Sequence, residues 1–163
     1  MCVHLARDEK LSPPLTGELL IIPSLIGDYT KLPEPYLSRH VSWKQNADAP
    51  ILGQKESLYF RDHYKPDPTS HLHRPFFWPS GHAGLPPVSI HACGMDPLRD
   101  DALCYEEALQ EAGVKTRLHV APGVPHGFTS RFPKLKVAQA FMADHVKGLE
   151  WLLQQGSAET VSK

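Results

Sequence analysis

A chain of 163 residues, 41% of them apolar and 21% charged, is long enough for one domain with its own core and too apolar for a disordered polypeptide. Its 17 basic and 18 acidic residues nearly cancel, which excludes the strong positive field that draws nucleic acid or an anionic membrane surface. No apolar run reaches the length of a membrane span or of a signal peptide, so a cytoplasmic location is expected.

Met1 to Arg7 reads as the end of a helix, stopped by Ser12-Pro13-Pro14. Leu19-Leu20-Ile21-Ile22 is a short unbroken apolar run and predicts a strand buried on both faces. Most of the 16 prolines lie between Pro13 and Pro87 and make that stretch loop-rich. Within it, residues 54–64 predict one helix, with Lys55, Leu58, Tyr59 and Asp62 sharing a face. The stretch from Gly27 to His82 far exceeds the ~12–15 residues beyond which connections are usually functional, and it predicts part of a cap. Val88 to Cys93 predicts a second strand. Leu98, Ala102, Tyr105, Leu109 and Ala112 then form one helical stripe, closed by Gly113 in the left-handed conformation. Lys115 to Ala121 alternates, Leu118 and Val120 against Arg117 and His119, as an edge strand does. Beyond the Pro122-Gly123 turn, Leu135, Ala138, Met142, Val146, Leu149 and Leu153 mark the packed stripe of a long helix ending at Gly156. Residues 157–163 are expected to be a disordered tail.

Two loops, each directly after a strand, carry the candidate chemistry. Asp96 and His126 are 30 positions apart, the span of one βαβ crossover, and so emerge side by side on the sheet edge where ligands bind. A carboxylate beside an imidazole fixes its tautomer and stabilises its protonated form, while the imidazole deprotonates a nucleophile. Asp96-Pro97 also reads as a helix N-cap with proline at the first helical position, and a single loop histidine as merely solvated. It is the joint placement that favours a pair. His71, His73 and His82 cluster near Asp67, but their spacing fits no tetrahedral site, so no metal is expected. Phe76-Phe77-Trp78 reads as a loop anchor or the wall of an acyl pocket, since only Arg74 accompanies it and a nucleic-acid platform needs more. Cys2, Cys93 and Cys104 lack the paired spacings of zinc or redox motifs and read as reduced thiols.

Gly94 to Asp101 (GMDPLRDD), then Tyr105, Leu109 and Ala112-Gly113-Val114, then Pro122-Gly123-x-Pro125-His126-Gly127-Phe128, resemble the acid and histidine loops of hormone-sensitive-lipase-like esterases. Likenesses continue at Leu5-Ala6-Arg7-Asp8, Ser12 to Gly17, Asn46, Tyr64 to Pro68 and Leu85-Pro86-Pro87, particularly with fungal members, some of which act in secondary metabolism. The resemblance thus covers about Leu5 to Leu153. It implies the C-terminal part of an α/β-hydrolase fold: about three mainly parallel strands with flanking helices in a domain over 1–156, with 27–82 as a partial cap. It also implies carboxylic ester hydrolysis by a Ser-His-Asp triad, with Asp96 the acid and His126 the base. Gly94, Pro97, Gly127 and Phe128 would shape the two loops. The substrate implied is a small-molecule ester, and no cofactor is implied.

The nucleophile of this family sits on a G-x-S-x-G elbow, and the sequence contains no such string. The His-Gly-Gly loop that donates to the oxyanion is missing too. By the resemblance, Leu5 to Asp8 ends the helix that begins at the serine, so the elbow is expected just upstream of Met1 and this chain alone is expected to be inactive. The alternative is a catalytically silent accessory protein. Ser24, Ser80 and Ser130 do not sit between the glycine pairs an elbow requires. The strand at Leu19 to Ile22 would lack its neighbour, leaving an edge open to self-association.

Overall fold

The computed structural model describes residues 2–67 and 69–161, the last five by their backbone alone. Met1, Pro68 and residues 162–163 lie outside the described residues, and with them parts of the expected first helix, of the Tyr64 to Pro68 motif and of the tail.

In chain order the elements are α1 (Cys2–Asp8), β1 (Glu18–Ile21), α2 (Tyr36–Arg39), α3 (Ser42–Gln45), α4 (Gln54–Tyr64), β2 (Val88–Cys93), α5 (Arg99–Glu111), β3 (Thr116–Ala121), α6 (Phe128–Arg131) and α7 (Lys136–Val161), with short 3-10 turns at Tyr29–Lys31 and Pro75–Phe77. The three strands form one parallel sheet in the order β1-β2-β3. β2, in the middle, is buried along its whole length. Because side chains alternate across a strand, Val88, Ile90 and Ala92 join Ala102, Tyr105 and Leu109 of α5 in the main core. On the other face Cys93 meets Phe128, Ala138 and Phe141 in a second cluster.

The expected double-sided burial of β1 is not found. Its residues are only half-buried and Ile21 is 42% exposed, because among the described residues β1 pairs with β2 alone and its other edge carries no strand. β3 lies at the opposite edge, as its alternation predicted. Gly113 closes α5 at φ +77°.

The long helix packs largely through a different face from the one expected, with Ala138 alone common to both. Ala138, Phe141, His145 and Leu152 are buried, whereas Leu135 just before the helix and Met142, Val146, Leu149 and Leu153 within it are exposed. Both sets recur at helical spacing, so periodicity finds two stripes and cannot rank them. The sheet decides: α7 must approach β2 so closely that a Cβ on Gly148 would stand 2.6 Å from the His91 ring and from Ser89 Oγ. Nor does the helix end at Gly156, whose missing side chain accommodates Thr16, a Cβ there meeting Thr16 Cβ at 3.1 Å. Its backbone continues helical to Val161, into the segment expected to be a tail. Among the described residues no helix is long and apolar enough to cross a membrane.

Two buried histidines make stability depend on pH. Burial, then the charges available to His145, His119 and Arg117, bring the fully buried His91 imidazole down to about 4, with Asp144 opposing. Burial is also the chief cause holding His4 at about 3. Both values lie below the ~6.5 of an unfolded chain, so the unfolded state binds protons first. The stabilisation is complete above about pH 6.5 and is lost as the pH falls through the window down to these folded-state values. Urea unfolding is expected to report a loss of a few kcal/mol between pH 7 and pH 4.5, reduced in a His91→Gln variant. A stability flat across that window would contradict it.

Candidate active site

The register of the sheet sets Cys93 of β2 level with Ala121 of β3, so the loops that follow them leave the same edge together. They are tied at once: the Gly94 amide donates to the Ala121 carbonyl at 2.8 Å and the Met95 amide to the Val124 carbonyl at 3.0 Å. Glycine at 94 eases this approach, since a Cβ there would lie 3.1 Å from the Ala121 oxygen and 3.2 Å from the Gly123 nitrogen, closer than ordinary contact.

Asp96 and His126 meet. The carboxylate Oδ2 lies 2.6 Å from the imidazole Nδ1, with the Asp96 side chain 2% exposed and that of His126 23%. This is within the reach required of a base and the group that orients it. The other oxygen, Oδ1, accepts from the Leu98 amide at 2.8 Å, so the carboxylate is oriented from two sides. Asp96 is therefore not a simple N-cap with Pro97 opening the helix. Asp96-Pro97-Leu98 forms a turn, and α5 starts only at Arg99. Nε2 of His126 has no hydrogen-bond partner among the described residues. Gly127, at φ +63°, is left-handed, a conformation costly for other residues, and it turns the chain into α6. Phe128 is buried against Phe141 at a ring separation of 5.5 Å and anchors the histidine loop in the second core cluster.

Of the residues that hold the acid loop, Asn46, Asp100 and Asp101 enter the sequence reading only as parts of family likenesses, and the clamping role of each, like that of Ser42, is seen only in the structure. Asp100 Oδ2 accepts from the amides of Val41 and Ser42 at 2.7 and 2.6 Å, and its Oδ1 accepts from Arg99 Nε at 2.8 Å. Burial pushes this carboxyl up, but the Arg99 guanidinium and the two amides outweigh it, leaving it below the usual carboxylate range. Asp101 Oδ2 accepts from the amides of Leu25 and Ile26 at 2.9 and 3.0 Å, and its Oδ1 lies 2.9 Å from His40 Nε2. Ser42 Oγ donates to the Pro97 carbonyl at 2.8 Å, and Asn46 Nδ2 donates to the Asp96 carbonyl at 3.0 Å. A signal was available: Asp101 falls four residues before Tyr105, on the apolar stripe of α5, where an unpaired carboxylate is not tolerated.

Cys93 closes β2 near Asp96, but burial, with Asp96 adding to it, pushes its thiol up to about 12, far from a reactive thiolate at neutral pH. The three cysteines are free. Among the described residues no group of three or more His, Cys, Asp or Glu side chains is arranged to hold a metal ion. His82 is engaged by α1, its Nδ1 3.0 Å from His4 Nε2. Phe76 is buried edge-on to Tyr36, and Trp78 donates to Asp8 at 2.8 Å, so this aromatic group anchors the 70s loop to the core and to α1.

A parallel sheet flanked by helices, with a carboxylate and an imidazole hydrogen-bonded at its carboxyl edge, defines an α/β protein. The chain belongs to the α/β-hydrolase fold family, whose model matches residues 1–130, and its relatives place it among the hormone-sensitive-lipase-like members. It is 40% identical over 156 residues to an AB hydrolase superfamily protein of Schizosaccharomyces pombe, covering 96% of this chain and 46% of that protein. It is 31% identical to the versiconal hemiacetal acetate esterase of Dothistroma septosporum, covering 96% and 47%. Among solved structures, vibralactone cyclase superposes with a TM-score of 0.87 at 39% identity, over 94% of this chain and 45% of that one. The chain thus spans about half the length of these relatives, corresponding to their C-terminal portion.

Proposed function

We propose that this chain supplies the acid and the base of a carboxylic ester hydrolase. The observation that carries the reading is the 2.6 Å bond between Asp96 and His126; the esterases among the relatives support it. With Asp96 accepting from Nδ1–H, Nε2 of His126 is the basic nitrogen. It takes the proton of a serine hydroxyl as the oxygen attacks the ester carbonyl carbon. It then returns that proton to the departing alkoxide, leaving an acyl-serine, and a water activated in the same way releases the acid and frees the serine. Asp96 holds the ring in this orientation and stabilises its protonated form. Residues 27–82 act as part of a cap over the substrate, a small-molecule ester.

No G-x-S-x-G string occurs in the sequence, so the reading requires a serine presented to Nε2 from polypeptide other than these 163 residues. The test is p-nitrophenyl butyrate hydrolysis, run on this chain and on a form extended by the codons that precede it in the gene. Turnover is expected only in a form that carries the elbow, and His126→Ala is expected to reduce it to background. Upstream codons that encode no elbow would favour the silent accessory protein, and full activity in His126→Ala would overturn the acid–base assignment.

A further inference from the structure

A cavity of about 670 Å³ lies between the 24–31 segment, α3, α4 and the turn that starts α5. Its wall has two chemistries. One part is apolar: Trp43, Leu52, Phe60 and Leu98. The other carries Lys31, Arg61 and Arg74 against one carboxylate, Asp28. That carboxylate is already engaged. It accepts from the Thr30 amide at 3.2 Å and hydroxyl at 2.6 Å, and it lies 3.8 Å from Lys31 Nζ.

The two arginines are left with little to bind. Arg61, on α4, has no side-chain hydrogen bond or ion pair among the described residues and only a longer-range attraction to Asp28. Half-buried Arg74 gives Nε to the Ser70 carbonyl at 3.3 Å and lies over the Phe77 ring at 6.0 Å, both uncharged partners. His73, also in the wall, is kept below its ordinary pKa by burial and then by Arg74, so it adds little charge at neutral pH. α4 buries no residue, and Ser57, Phe60, Arg61 and Tyr64, one face of it by spacing, line this cavity. A neutral ester needs only the apolar wall. Two guanidinium forks beside it match a carboxylate, which each can bind in bidentate fashion.

We propose that this cavity binds an ester carrying its own carboxylate, with the anion on Arg61 and Arg74 and the hydrocarbon against Trp43, Leu52 and Phe60. That the ligand is an ester rests on the hydrolase reading above; that it is an anion does not. Leu98 joins the two sites, since it forms part of the wall while its amide holds Asp96.

The test is binding, which needs no nucleophile. Monoethyl adipate and diethyl adipate, alike in chain but differing in one charge, are titrated into the 163-residue protein and followed by calorimetry and by tryptophan fluorescence. The monoester is expected to bind about tenfold more tightly. Arg61→Gln, an exposed change that removes no contact of the fold, is expected to remove much of that preference, and Arg61→Gln with Arg74→Gln nearly all of it, while diethyl adipate binds as before. Equal affinity for the two esters, a preference untouched in both variants, or no binding at millimolar concentrations would overturn the proposal. A monoester preference absent from the unsubstituted protein while His126-dependent turnover is found in the extended form would sink the anion site and leave the hydrolase reading standing; the reverse outcome would sink that reading and keep the anion site.

Discussion

Asp96→Asn is expected to lower kcat about 10⁴-fold in a form of the protein that carries the serine, with the far-UV circular dichroism unchanged. The amide can still accept from the Leu98 amide through its oxygen, so the turn before α5 survives. What changes is the partner of His126. An amide nitrogen facing Nδ1 donates a proton where the carboxylate accepted one, and the ring then carries its own proton on Nε2, where it cannot deprotonate a hydroxyl. A loss of less than tenfold would mean that the 2.6 Å contact orients a loop and not a base.

For stability the largest effect is expected at Asp101, which touches neither His126 nor the proposed anion site. Its carboxylate holds the amides of Leu25 and Ile26 and lies against His40, and the residue is 4% exposed. Asp101→Ala leaves two amides and one imidazole without their partner in a site water hardly reaches. Removing one member of such a buried charged cluster costs about 3–5 kcal/mol, a large share of the ~5–15 kcal/mol that holds a domain together. Urea unfolding measures it. Glu107→Ala is the control, because its ion pair with Arg39 at 2.7 Å is partly exposed, and such pairs contribute under about 1 kcal/mol. Equal losses in the two variants would refute the argument.

That contrast also marks how far sequence reasoning reached. The strand at Val88 to Cys93, the helix at 54–64 and the stripe through Ala102, Tyr105 and Leu109 were legible because local periodicity and punctuation specify them. So was the encounter of Asp96 with His126, since one parallel crossover leaves a loop's start little freedom in position. The role of Asp100 and Asp101 was not. Their partners are backbone amides 58 to 76 residues away in a proline-rich segment, and backbone groups have no identity in a sequence. The face of α7 was hidden for a related reason, because the side it presents to the sheet carries His145 and Gly148 where a packed face normally carries large apolar residues.

From the residues alone, then, came the three strands, the principal helices between and after them, and the placing of Asp96 beside His126, all consequences of short-range pattern and one rule of chain connection; the hydrolase fold itself was read from family resemblance. Which stripe of α7 is packed, how far β1 is covered, and what clamps the acid loop were decided only when distant segments met. These depend on close approach and on which donor finds a given carboxylate, and such quantities exist only between surfaces, not along a chain.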